Sequence, residues 1–318
     1  MEHRTLGRSG VDVSRIVLGC GNFGGIGSSP AFFGAGETEG EAHALMDAAW
    51  EAGITTFDTA DAYGGGRSES YIGSWLRAKG SDVRDRLVLT TKTFNPMSEG
   101  ADGGLSPERI RRQLESSLAR LGLDSVHLYL AHAMDPSTPI AETVGAFDTL
   151  AREGKIRAYG GSNVDAEWVE EALRHGRLDW AQNCYSLLDR TDEATVLPVI
   201  AREGLGYTPF SPLAGGWLTG KYKRGEEPPA GSRMTLRPEP YLHLRVDEVF
   251  DAIEAFEARA RDRATTPAAL AIAWLLAQPH VTAVVIGPRR PEQLRPALDA
   301  LHLELSPPER EQLSALFP

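Results

Sequence analysis

Sulfur is scarce in this chain. Its 318 residues include two cysteines, Cys20 and Cys184, which supply neither a disulfide framework nor a zinc-binding spacing. Long hydrophobic runs are also missing. No apolar stretch approaches the ~20 residues of a membrane helix, and Met1-Glu2-His3-Arg4-Thr5 has no apolar core for a secretory signal. Positive charge is in deficit: a formal net charge of −11 excludes the broad basic face that nucleic-acid phosphates demand. Together these absences predict a cytoplasmic protein with no nucleic-acid or membrane partner. Oligomeric state leaves no mark on the sequence.

What is present is ordinary globular composition, 42% hydrophobic and 24% charged, arranged as a recurring unit. Thr5-Leu6, the turn Gly7-Arg8-Ser9-Gly10 and the alternating Val11-Asp12-Val13-Ser14 predict a β-hairpin. Ile16-Val17-Leu18 is a first buried strand. Thr38 and Glu41 then form a capping box, with Ala42, Leu45, Met46 and Ala49 at helical spacing; Gly53 ends that helix and a strand over 54–58 follows at once. Ser106-Pro107-Glu108 starts another helix, striped by Ile110, Leu114, Leu118 and Leu121 and ended by Gly122, before the strand Val126-His127-Leu128-Tyr129-Leu130. The same punctuation returns at Gly154, Gly176 and Gly204, ahead of strands at 156–160, 180–185 and 205–210. Strands at 87–91 and 281–287 bring the total to about eight.

Alternating strands and helices imply a parallel sheet, and about eight such units predict a (β/α)₈ barrel with an N-terminal β-hairpin, one domain over 1–318; a doubly wound open sheet is the alternative. The long loops 19–37, 93–105 and 223–241 each follow a strand, so all three are expected on the carboxyl-end face where barrels place their chemistry. A last helix, capped by Ser306 and Glu309, is expected outside the barrel or near its mouth. Gly19-Cys20-Gly21-Asn22-Phe23-Gly24 matches a dinucleotide fingerprint in letters only. The residues that follow, Gly25-Ile26-Gly27-Ser28-Ser29-Pro30, cannot start the helix that motif needs.

Polar groups end the strands. Asp58 closes one, Lys92 follows Leu89-Thr90-Thr91, and His132 follows Leu130-Ala131, on the same strand face as Leu128 and Leu130. Tyr63 lies five residues beyond Asp58 in a glycine-rich turn. A carboxylate beside a lysine is most often a plain ion pair, but four titratable groups around one barrel mouth support general acid catalysis. Lys92 would lower the Tyr63 phenol from its usual pKa of ~10; Asp58 would keep the lysine charged, and His132 would donate to a substrate carbonyl oxygen. A Schiff-base role for Lys92 is an alternative that the neighbouring aspartate opposes. His3, His43, His175, His243, His280 and His302 have no metal-ligand spacing, so no metal site is expected.

With these residues in view, the chain resembles the aldo-keto reductases over nearly its whole length. The strongest match is Asp58-Thr59-Ala60-Asp61-Ala62-Tyr63-Gly64, continuing to Arg67-Ser68-Glu69, together with Lys92 and His132. The resemblance implies a catalytic tetrad of Asp58, Tyr63, Lys92 and His132, NADP(H) as cofactor and a small-molecule carbonyl substrate. It further implies that Ser162, Asn163 and Gln182 hold the nicotinamide carboxamide and that Phe210 stacks on the ring. Ser211, Pro212, Leu213, Gly215, Lys221 and Arg233 would belong to the segment over the pyrophosphate, with Gly21 and Asn22 beside the ribose. Gly287, Arg289 and Gln293 would receive the adenosine end, Arg289 suiting a 2′-phosphate. Family members commonly continue with Glu-Asn near the adenine, where this chain has Pro296-Ala297. Phe23, Phe32, Phe33, Phe94, Trp217 and the loop 223–241 are expected to set substrate choice. A cofactor-sensing regulatory subunit with slow turnover is the rival function; the complete tetrad, and the want of any docking segment before it, favour an enzyme.

Overall fold

The structure, a computed structural model, describes residues 1–317. Among these, β1 (His3–Thr5) and β2 (Asp12–Ser14) form the antiparallel hairpin. Eight parallel strands follow: β3 (Ile16–Gly19), β4 (Thr56–Asp58), β5 (Val88–Thr93), β6 (Val126–Ala131), β7 (Ile156–Ser162), β8 (Trp180–Gln182), β9 (Gly206–Tyr207) and β10 (Val284–Ile286). Their order is β10-β3-β4-β5-β6-β7-β8-β9. Main-chain hydrogen bonds from Thr282 N–H to Tyr207 O (2.8 Å) and from Val285 N–H to Pro209 O (2.9 Å) join the two ends, so the sheet closes as a (β/α)₈ barrel.

The period-two pattern divides the barrel cleanly. Val17, Leu128, Leu130, Ala158, Trp180 and Val285 pack inside it, and Leu6, Val11 and Val13 of the hairpin complete this inner cluster. The alternate residues Phe57, Leu89, Tyr129, Ala131, Tyr159 and Ala181 face the helices and form the larger outer core. Both clusters are legible as two faces of one sheet because adjacent strand residues point oppositely. The final helix, Pro307–Ser314, carries its capping box and lies outside the barrel, where Trp274 Nε1 donates to Ser314 Oγ at 3.0 Å.

Several strand limits differ from expectation. β8 ends at Gln182 and β9 at Tyr207, three residues early in each case, leaving only a bridge between Cys184 and Phe210 to continue the pairing. β5 and β7 instead run two residues longer, so Lys92 and Ser162 lie within strands and not after them. Only a single 3₁₀ turn, Pro30–Phe32, follows the glycine-rich letters after β3 before the α-helix Glu39–Glu51, so the helix that a dinucleotide fingerprint needs inside the motif is absent there. The loop after β4 closes tightly. Gly64 sits at φ +59°, and a Cβ there would meet Phe23 O at 2.6 Å, so only glycine lets the loop after β3 pass this close to Tyr63.

Candidate active site

Alternation brings Asp58, Lys92, His132, Ser162 and Gln182 to the inner face at the carboxyl ends of their strands, directly above the apolar filling. Lys92, 1% exposed, donates Nζ–H to Asp58 Oδ1, to Thr59 O at 2.9 Å and to the Tyr63 hydroxyl at 3.4 Å. The Tyr63 hydroxyl in turn lies 3.4 Å from His132 Nε2, with the two rings edge to face. Gln182 donates Nε2–H to the other oxygen of Asp58 at 2.8 Å. One hydrogen-bonded chain thus connects four strands and the Tyr63 turn.

The charges follow from burial and pairing. Burial works against the Lys92 ammonium, but Asp58 and Tyr63 outweigh it and hold its pKa above the ordinary value. Burial, reinforced by the Lys92 charge, holds His132 well below the ordinary histidine value, so its ring is neutral. The phenol departs from expectation. Lys92 does pull Tyr63 down, yet burial is the larger effect and the net direction is up. Tyr63 is therefore a protonated acid throughout the neutral range.

Asn95 was not picked out from the sequence. It donates Nδ2–H to His132 Nδ1 at 3.2 Å, which makes Nδ1 an acceptor and leaves the proton of the neutral ring on Nε2, facing Tyr63. Buried Arg109 secures this loop by donating to Asn95 O at 2.8 Å and Gly104 O at 3.0 Å. Asp61 belongs to the segment that joins Asp58 to Tyr63. It lies fully buried behind the tetrad, and among the described residues neither carboxylate oxygen has a hydrogen-bond partner. Burial, then the charge of Glu69, pushes its pKa up to about 7.

The residues expected to hold a cofactor fall into two groups. Ser162 and Asn163 adjoin the tetrad: Asn163 donates Nδ2–H to His132 O at 2.8 Å and to Ser162 Oγ at 3.1 Å. Gln182 reaches Asp58, and Phe210 packs half-buried over the inner cluster. Gly21 lies over the Tyr63 ring, which a Cβ there would meet at 3.6 Å. Asn163 and Ser211 adopt left-handed backbone at φ +54° and +56°, the kind of local strain that gathers at ligand-binding positions. Pro212, Leu213 and Gly215 continue from Ser211 into a turn closed by Tyr241, whose hydroxyl lies 3.0 Å from Ser211 Oγ.

The second group lies on the outer loops. Arg233 donates to Asn22 Oδ1 at 3.4 Å, and Arg237 donates to Ile26 O at 3.4 Å. Arg233 feels the charges of Arg237 and Arg289, and Lys221 that of Arg233, so four cations share this rim. Arg289 follows β10 past the exposed Gly287, and its N–H is accepted by Gln293 Oε1 at 2.7 Å. Its guanidinium meets a residue the sequence did not single out: buried Glu37, whose Oε1 accepts from Nε at 2.5 Å. Two aromatics named for substrate contact prove to be core. Phe23 is completely buried and Trp217 packs against Tyr222 and Phe250; Phe32, Phe33 and Phe94 remain half-buried near the mouth.

The model of the aldo/keto reductase family matches residues 15–317. An uncharacterized oxidoreductase of Bacillus subtilis, YrpG, is 39% identical, the alignment covering all of this chain and 96% of the relative. An NADH-specific methylglyoxal reductase of Escherichia coli is 35% identical over 96% of this chain and 95% of its own length. A probable voltage-gated potassium channel β subunit of rice is 34% identical over 99% of this chain and 96% of its own. The chain belongs to the aldo/keto reductase family, oxidoreductases that use nicotinamide cofactors on small carbonyl compounds.

Proposed function

We propose that this protein is an NADPH-dependent reductase that converts an aldehyde or ketone to an alcohol, with Tyr63 as the proton donor. The observation that carries this is the unbroken chain Asp58–Lys92–Tyr63–His132 at the barrel mouth. A nicotinamide held there would supply the hydride. Everything else falls to the protein. The Tyr63 hydroxyl and His132 Nε2–H offer two donors to one carbonyl oxygen, polarising it where charge will develop. Tyr63 passes its proton to that oxygen, and the nearby Lys92 ammonium stabilises the phenolate left behind. Asp58 keeps Lys92 charged and aimed. In the reverse direction the phenolate takes the proton back.

Four rim cations in a protein of net charge −11 support a ligand carrying several phosphates. Ser162 and Asn163 would hold the carboxamide and Phe210 the ring face. The segment from Ser211 to Lys221, with Arg233, would hold the pyrophosphate, and Arg289 the 2′-phosphate. Methylglyoxal, named for the Escherichia coli relative, is a small dicarbonyl within the proposed substrate class, whereas that relative's NADH specificity points away from NADPH. A Schiff-base lyase is disfavoured because Asp58 holds Lys92 protonated. Likeness to a channel β subunit fits the alternative of a regulatory subunit only loosely, and the full tetrad favours turnover.

The test is Tyr63→Phe assayed with NADPH and a generic aromatic aldehyde. Turnover is expected to fall by about 10²- to 10⁴-fold while NADPH still quenches tryptophan fluorescence with unchanged affinity. Near-normal turnover in the variant overturns the assignment of Tyr63.

A further inference from the structure

We infer that Glu37 sets the balance between NADPH and NADH by competing with the 2′-phosphate for the guanidinium of Arg289. This rests on the cofactor assignment above and concerns the same site. Glu37 is the last residue before the Thr38 cap, pinned by its N–H to Asn22 O at 2.9 Å and by Gly24 N–H to its own carbonyl at 2.8 Å. Its side chain is 4% exposed. Oε1 accepts from Arg289, and among the described residues Oε2 has no hydrogen-bond partner.

A half-satisfied buried carboxylate is costly, and no local structural duty explains it. The helix cap belongs to Thr38 and Glu41, which bond each other reciprocally. The other contact of the Arg289 guanidinium, to Gly231 O at 3.4 Å, is weak, so Glu37 is its principal partner. A 2′-phosphate brings between one and two negative charges to this spot. It must displace or repel the Glu37 carboxylate to reach Arg289. A ribose 2′-hydroxyl instead brings a donor, and the unpartnered Oε2 is an acceptor. Acidic side chains pair with the 2′-hydroxyl of NAD and arginines with the 2′-phosphate of NADP; here one of each occupies a single place. Both effects act in the same direction, restraining NADPH relative to NADH.

The experiment measures dissociation constants of NADPH and NADH by tryptophan quenching on wild type, Glu37→Gln, Glu37→Val, Arg289→Ala and the double variant Glu37→Gln/Arg289→Ala. Competition by 2′,5′-ADP and 5′-AMP isolates the adenosine end from the nicotinamide. Glu37→Gln is expected to tighten NADPH and 2′,5′-ADP by about tenfold, the scale of one charge-assisted contact, with NADH unchanged or weaker. Adding Arg289→Ala should abolish the gain. Glu37→Val removes the carboxylate with an apolar residue suited to the buried position, and should move the ratio the same way if the amide variant is unstable. Binding of both dinucleotides with an unchanged NADPH-to-NADH ratio, or selective weakening of NADPH in Glu37→Gln, overturns the role of Glu37 alone. Failure of every form to bind either dinucleotide overturns it together with the cofactor assignment.

Discussion

Gln182 donates its amide to Asp58 at 2.8 Å from a strand four places further round the barrel. The carboxylate that holds Lys92 is thereby held in turn, with Lys92 on one oxygen and Gln182 on the other. Removing this donor should loosen Asp58 and, through it, Lys92. Gln182→Leu is expected to lower kcat about tenfold, as for loss of one hydrogen bond to a charged group. Gln182→Glu should cost more, because it sets a second carboxylate against Asp58. Steady-state kinetics of the two variants with saturating cofactor check both.

The direction of the Tyr63 shift makes the two directions of reaction differ with pH. Burial raises the phenol above its ordinary value, so the acid form needed for reduction persists across neutral pH. His132, held well below its ordinary value, does not titrate there either. Reduction, followed as kcat/KM, is expected to be flat between about pH 6 and 9. Alcohol oxidation needs the phenolate and should rise with pH throughout that range. A rate of reduction that falls between pH 7 and 8 would contradict the balance in which burial exceeds the pull of Lys92.

Asn95 decides which nitrogen of His132 carries the proton. Asn95→Leu frees Nδ1, lets the second tautomer form, and is expected to lower kcat/KM about tenfold; Asn95→Asp should reverse the bond, make Nε2 an acceptor and cost on the order of 10²-fold at pH 8, the scale of one lost carbonyl donor. In the aspartate variant activity should recover as pH falls, because a doubly protonated ring again donates from Nε2. A lesion that merely loosened the loop would show no such recovery.

Asp58, Lys92 and His132 were legible as a set because each sits at the carboxyl end of a strand, and period-two alternation sends each inward above Leu128 and Leu130. The barrel followed from the repeated helix, glycine and strand units. What escaped depends on distances between loops. Glu37 reads as one more acid before a capping box, and nothing local says that Arg289, 252 residues later in sequence, will meet it. Asn95 reads as a loop residue after β5. The sign of the Tyr63 shift needed the depth of the phenol as well as the identity of its neighbour. Phe23 and Trp217 look like pocket aromatics in sequence because a long glycine-rich loop gives no hint of which of its side chains turns inward.

Asp61 offers a test on stability, independent of any substrate. Its carboxyl is completely buried, and burial with the Glu69 charge raises its pKa to about 7, while the Arg109 charge pulls the other way. An unfolded aspartate titrates near its ordinary value of about 3.9. Between about pH 4 and 7 the folded state therefore binds more protons than the unfolded one, so this residue's contribution to stability declines as pH rises through that window. Above it, the folded protein carries a buried charge that the unfolded chain would solvate. Asp61→Asn keeps the shape and removes the charge. The variant is expected to be more stable than wild type at pH 8, by at most about 4 kcal/mol from linkage, and the advantage should shrink towards pH 4. Urea unfolding of both proteins at pH 5 and pH 8 decides it. A variant less stable than wild type at pH 8 would mean that Asp61 is held ionised by Arg109, and that attraction to the guanidinium exceeds the cost of burial.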